Sequence, residues 1–314
     1  MMGKMSGVPP RRPRRRKSPP VRSRRPAEQR YGRMREDLRE SVAMTARRWL
    51  EAAAARLTAA GSPEGPVEAR WMLADALGGM TALTLALDRP LEEPALSKAQ
   101  GWLEERLTGM PLQYAQGRAW FMGHAFGADR RALIPRQDTE LLCEQGICRA
   151  GRGPAAVLDL CTGSGALAIS LKLACPQARV WASDLSEEAL ALAQENARRL
   201  GADVAFLHGD LLAPAAGLRF DVILCNPPYL SGADMAALQP EVRFEPAMAL
   251  YGGADGLDFY RRLAVEAPGA LKPGGWLLLE VGAGQAHQVA ELLGGGCALY
   301  RDLPGIERVV EKRY

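Results

Sequence analysis

The stretch Leu224-Cys225-Asn226-Pro227-Pro228-Tyr229-Leu230 sets a polar amide, two prolines and a tyrosine directly behind an apolar run. Two prolines remove two backbone donors and lock two φ angles, so strand pairing stops there. What remains is a rigid corner that carries the Asn226 side-chain carbonyl and the backbone carbonyls of Pro227 and Pro228. Fixed acceptors of this kind suit a planar –NH2 group, which has two N–H donors to satisfy. The nitrogen of such a group is a poor nucleophile when its lone pair is delocalised, so catalysis has to orient it. Acceptors that are in place beforehand lower the entropic cost of doing so. Tyr229 supplies a flat wall for the planar group. No histidine lies in the segment, and none is needed if the product sheds its proton after attack. The same residues also read as a plain strand stop and turn.

A second constellation lies upstream. "VLDLCTGSGALAISL" (157–171) is strand, glycine turn and helix. Gly163 and Gly165 let backbone approach a ligand, and the helix start offers free N–H groups. Turns of this type serve NAD, nucleotides and S-adenosylmethionine alike. Here the third glycine of the dinucleotide fingerprint is missing, and no GxxxxGK[ST] occurs anywhere. Asp184 closes the next strand, where a carboxylate accepts two ribose hydroxyls. Ser186, ahead of Glu187 and Glu188, is placed to cap the following helix, and the two roles coexist. Asp210, after the third strand, either meets an adenine amino group or only closes a loop.

The elements that position these residues follow from periodicity. Apolar strands are expected at 155–160, 179–184, 204–208, 219–225 and 275–281, with helices near 165–174, 186–200, 256–268 and 284–293. Alternation of this kind predicts a parallel sheet wound by right-handed crossovers. Asn226 then follows the fourth strand, beside the first, at the switch point where α/β sheets hold ligands. "CALYRDLPGIERVVEKRY" reads as a terminal hairpin, which resembles Class I methyltransferases rather than dinucleotide-binding domains. Ahead of the sheet, residues 38–107 repeat apolar positions at helical spacing, with Gly78-Gly79 as a helix stop. Residues 111–136 alternate aromatic and small residues around glycines, a hairpin pattern. The expected division is a tail (1–37), a helical docking domain (38–110), a hairpin linker (111–136) and a methyltransferase domain (137–314).

Composition narrows the partners. The 314 residues are 47% hydrophobic and 24% charged, with a net charge of +4. Residues 1–35 hold thirteen Lys/Arg and one Glu, so the remainder carries −8. An acidic body lacks the basic recognition surface that a DNA enzyme needs. The Arg- and Pro-rich tail cannot bury enough surface to fold, and it is the one place where nucleic acid could bind. No apolar run is long enough to span a membrane. Six scattered cysteines suit reduced cytoplasmic thiols better than disulfides or a zinc site.

Several motifs together resemble the release-factor glutamine methyltransferases of the HemK/PrmC family over residues 40–314. They are "PLQYAQG" (111–117), "LIPRQDTE" (133–140), "DLCTGSGALA" (159–168), "NPPY" (226–229), "EPAMAL" (245–250), "GADGLDFYRRL" (253–263), "LLLEVGAGQ" (277–285) and "DLPGIERVV" (302–310). "NPPY" alone is shared with adenine-N6 DNA methyltransferases and specifies only amino-group chemistry. The resemblance implies an α/β Class I fold behind a helical domain, S-adenosylmethionine as cofactor, and methylation of the glutamine in the Gly-Gly-Gln loop of peptide release factors. It implies that Cys161, Thr162, Gly163, Ser164, Gly165, Asp184, Asp210, Leu211 and Asn226 hold the cofactor. Asn226, Pro227, Pro228 and Tyr229 would hold the glutamine and carry catalysis, with no metal. Cys161 stands where glycine is common and Leu211 where an aromatic is. A monomeric cytoplasmic enzyme is expected. A ribosomal-protein glutamine methyltransferase and a DNA adenine methyltransferase are the competing assignments.

Overall fold

The computed structural model describes residues 44–314; the expected tail and the first residues of the expected helical domain lie outside them. Among the described residues four helices come first: α1 (Ala46–Ala59), α2 (Gly65–Leu77), α3 (Met80–Ala86) and α4 (Glu93–Leu107). Thr45 caps α1 by accepting from Arg48 N, and Ala46, Trp49, Ala53 and Leu57 are its buried stripe. Helix α2 ends at Gly78, whose φ of 90° is the left-handed turn expected there. Trp49, Leu57, Met72, Leu73, Leu83 and Leu103 form the shared core of this module.

The hairpin expected in 111–136 occupies 118–127 only. A short helix, α5 (Leu112–Gln116), precedes β1 (Arg118–Phe121) and β2 (His124–Gly127), which pair antiparallel. Met122 and Gly123 both have positive φ (48° and 76°), the geometry that a two-residue hairpin turn requires.

From α6 (Asp138–Ala150) onward the chain alternates: β3 (Ala156–Leu160), α7 (Ala166–Ala174), β4 (Arg179–Asp184), α8 (Glu187–Leu200), β5 (Val204–His208) and β6 (Phe220–Cys225). After α9 (Gly232–Ala236) come α10 (Asp258–Ala270), β7 (Leu271–Glu280), α11 (Ala286–Leu292), β8 (Ala298–Arg301) and β9 (Glu307–Arg313). The seven strands lie in the order β5-β4-β3-β6-β7-β9-β8. All are parallel up to β7, and β9 runs antiparallel to β7 and β8. This is the Class I methyltransferase arrangement. Strand β7 starts four residues before the expected 275, because Pro273-Gly274-Gly275 is a bulge and not a stop. The pairing slips there, from Phe220 opposite Leu271 to Val222 opposite Trp276.

Register is the consequential feature. Ser183, Leu160, Cys225 and Leu279 form one row across β4, β3, β6 and β7. The next residue on each strand, Asp184, Cys161, Asn226 and Glu280, therefore emerges along a single rim. Both faces of the sheet are covered by apolar clusters, and no helix of the described residues is long and apolar enough to cross a membrane.

Gly165 caps α7 with φ 80° and is not among the residues that line the cleft. A Cβ on it would meet Ile169 Cδ1 at 2.9 Å and Ala193 Cβ at 3.0 Å, so its bareness lets α8 close against α7. Gly165→Ala combines a left-handed backbone with overpacking and should cost roughly 2–4 kcal/mol. A urea midpoint equal to wild type would contradict this reading.

Candidate active site

The rim of the sheet opens into a cleft of about 1000 Å³. Its floor is the turn Cys161–Ser164; its sides are Asp184–Ser186, Asp210–Leu211 and the strap Arg131–Arg136, and Asn226 closes one end. Cys161 adopts φ 56° and Leu211 φ 44°. Left-handed backbone is costly for a side-chain-bearing residue, and it is a conformation that glycine adopts without that cost.

Asp184 is fixed by backbone. Its Oδ2 accepts from Gly163 N and its Oδ1 from Ser186 N, each at 2.9 Å. Each oxygen keeps a further lone pair, and the residue lines the cleft. Burial raises its pKa, against the lowering effect of those N–H groups. Ser186 caps α8 as expected, accepting from Ala189 N at 3.1 Å. Asp210 also lines the cleft, but both its oxygens accept from Arg262 on α10, at 3.0 and 2.9 Å. The pairing spans 52 residues, and no local pattern announces it. Exposed Leu185 and buried Leu211 add apolar wall. A cleft with apolar sides, a carboxylate at the end of β4 and a strand-turn-helix floor fits a nucleoside cofactor such as S-adenosylmethionine.

Beneath the floor lies Asp159, fully buried. Its Oδ2 accepts from Thr162 Oγ1 at 2.6 Å and from Ala168 N at 3.2 Å. Oδ1 has no partner among the described residues. The carboxyl thus ties the turn to the first helical residues of α7.

Asn226 belongs to two cavities. With Leu133 and Arg136 it lines the cleft, and the same three residues line a second cavity. Pro227, Tyr229, Leu230, Leu238 and Val242 complete that second space. Pro228 faces the first cavity, while Pro227 and Tyr229 face the second. Asn226 Nδ2 donates to Thr139 Oγ1 at 3.2 Å, and its Oδ1 accepts no hydrogen bond among the described residues. Among the described residues no backbone donor reaches the carbonyls of Pro227 or Pro228.

Backbone contact holds this corner. Gln285 Nε2 donates to Tyr229 O at 3.1 Å while its Oε1 accepts from Gly282 N at 3.0 Å. Gly252 and Gly256 lie so close to the carbonyls of Pro228 and Tyr229 that neither position has room for a Cβ. The strap is locked as well: buried Glu245 accepts from Ile134 N at 3.0 Å and pairs with Arg136. Arg106 of α4, only 6% exposed, pairs with Glu68 of α2 and with Glu241 beside the second cavity. Motif reading located the strap and the glycine segment but assigned them no role, and it passed over Thr139, Glu280 and Arg262 as site residues.

Two family models match the chain, the PrmC N-terminal domain over residues 48–117 and the Methyltransferase small domain over residues 139–243. A release factor glutamine methyltransferase of Geobacter sulfurreducens is 42% identical over 275 residues, 86% of this chain and 96% of that protein. Its counterpart from Deinococcus radiodurans is 45% identical over 275 residues, 86% of this chain and 99% of that protein. A ribosomal protein uL3 glutamine methyltransferase of Bordetella pertussis is 42% identical over 197 residues, 61% of this chain and 66% of that protein.

Burial pushes the Asp159 and Glu280 carboxyls up to about 7. Both bind a proton more tightly folded than unfolded, where carboxyls titrate near pH 4. Their contribution to stability therefore falls as pH rises from about 4 to about 7 and is level above that. Asp159→Asn removes one share, so its stability should drop less than that of the wild type between pH 5 and pH 7.5. Parallel urea melts at the two pH values check it; equal drops would refute it.

Proposed function

The chain belongs to the release factor glutamine methyltransferase family, and from that premise we propose that it methylates the side-chain amide nitrogen (N5) of the glutamine in a release factor's Gly-Gly-Gln loop, at Asn226. One observation carries this reading: Asn226 stands in the wall between two cavities, and neither its amide oxygen nor the two following proline carbonyls accept a hydrogen bond among the described residues.

Bound S-adenosylmethionine supplies the methyl group and a sulfonium leaving group. Asp184 would hold its ribose hydroxyls, the Cys161–Ser164 turn would lie along it, and Leu185 and Leu211 would flank its adenine. Asp210 reaches the adenine amino group only through lone pairs that Arg262 leaves free. Asn226 Oδ1 accepts one N–H of the substrate amide and a proline carbonyl accepts the other. That turns the nitrogen's lone pair toward the cleft. Tyr229 packs against the flat amide, and the apolar side chains of the second cavity keep water from the acceptors, which strengthens them. No histidine lines either cavity; the proton leaves after the nitrogen has been alkylated.

The whole-length match favours release factors over the uL3 alternative. It takes in the N-terminal helices, to which Arg106 ties the edge of the second cavity. The acidic body argues against DNA. Labelled S-adenosylmethionine should mark a release factor but not its Gly-Gly-Ala form, ribosomal proteins or DNA; label persisting on the Gly-Gly-Ala form overturns the assignment. Asn226→Ala should lower kcat about a hundredfold or more while the cofactor Kd stays within about threefold. Near-normal turnover would refute the role given to Asn226.

A further inference from the structure

Asparagine is almost symmetric in shape, yet its two ends are opposite in hydrogen bonding. A flipped Asn226 would present N–H donors to a substrate that itself offers only N–H donors. Something must therefore fix the orientation before the substrate arrives. Thr139, in the first turn of α6 and 5% exposed, accepts from Asn226 Nδ2. Its hydroxyl still has one proton to give.

Glu280 is the carboxyl that the strand register brings alongside Asn226. It follows Leu279, the partner of Cys225, and so emerges beside Asn226 on the rim. It is 2% exposed, and its Oε2 has no partner among the described residues. Thr139 and Asn226 act on this carboxyl as neighbouring donors, Asp138 raises its pKa and Arg308 lowers it, while among the described residues no hydrogen bond to it is closed. Tyr229 also feels its charge.

We propose that Thr139 and Glu280 are positioning residues: Asn226 Nδ2–H donates to Thr139, Thr139 O–H donates to Glu280, and this relay keeps Asn226 Oδ1 facing the substrate. Ionised or protonated, the carboxyl keeps an oxygen that can accept from Thr139, so the relay does not depend on its charge. A buried acid without a full set of partners is costly to keep, and its place behind the reactive amide gives it a use. The inference rests on the function proposed above.

Thr139→Val keeps the shape and removes the hydroxyl, Thr139→Ser keeps the hydroxyl, and Glu280→Leu removes the acceptor. Thr139→Val and Glu280→Leu should each lower kcat on a release factor about tenfold to a hundredfold, with KM and cofactor Kd within about threefold. Thr139→Ser should recover most of the rate. Independently of turnover, the Asn226 side-chain NH2 resonance, assigned by its loss in Asn226→Ala, should move in Thr139→Val and return in Thr139→Ser. Full kcat in Thr139→Val, a serine variant as impaired as the valine one, or an unmoved NH2 resonance would each overturn the relay. A wild-type enzyme that labels no glutamine defeats the function instead, and the resonance then decides the relay alone.

Discussion

Everything at the cleft depends on the shared register of β4, β3, β6 and β7. Parallel strands have a side-chain period of two, so a slip of one residue on any of them would turn its rim residue to the opposite face. Asp184, Cys161, Asn226 and Glu280 are the four residues that leave the row formed by Ser183, Leu160, Cys225 and Leu279. The side chains of Leu158, Leu160, Ile223, Leu277 and Leu279 are buried on one face, while Val157, Val222, Leu224 and Leu278 are buried on the other. Burial on both faces sets this register. Hydrophobic packing of the sheet and placement of the polar site are thus one event.

Above that rim, segments far apart in the chain are tied together by polar contacts in buried places. Glu245 joins the 245–250 segment to the 133–140 strap through Ile134 N and Arg136. Arg106 joins the N-terminal helices to Glu241, and Gln285 joins the loop after β7 to Tyr229. Each contact ends on, or next in sequence to, a residue that lines one of the two cavities. Motifs that look independent along the sequence are parts of one wall.

Strand and helix positions were legible because each core segment has an unbroken apolar pattern, and the placement of Asn226, Asp184 and the 161–164 turn along the cleft was legible because they sit at or just past strand ends. Four things were not. Glu280 ends an apolar strand, where a charge reads as the point at which the chain meets water; only the covering by β9 and α6 makes it buried. Thr139 looks like an ordinary first-turn residue until α6 is laid across Asn226. Pro273-Gly274-Gly275 has the composition of a terminator, and pairing with β6 overrides it. Gly165 has the spacing of a ligand-binding glycine, whereas the proximity of Ala193 explains its residue type. In every case the missing information is a contact between segments distant in sequence.

The crowding of Gly252 and Gly256 against the carbonyls of Pro228 and Tyr229 has a consequence for the product. Backbone packed on backbone cannot widen the way a rotating side chain can, so the position of the Pro228 carbonyl is set. An unmodified amide brings two N–H groups to that corner, and a monomethylated amide brings one. The second acceptor then faces a methyl group, and an unpaired buried carbonyl costs about 1–3 kcal/mol. On the binding mode proposed above, the corner holds a primary amide more firmly than a secondary one, which favours release of the product.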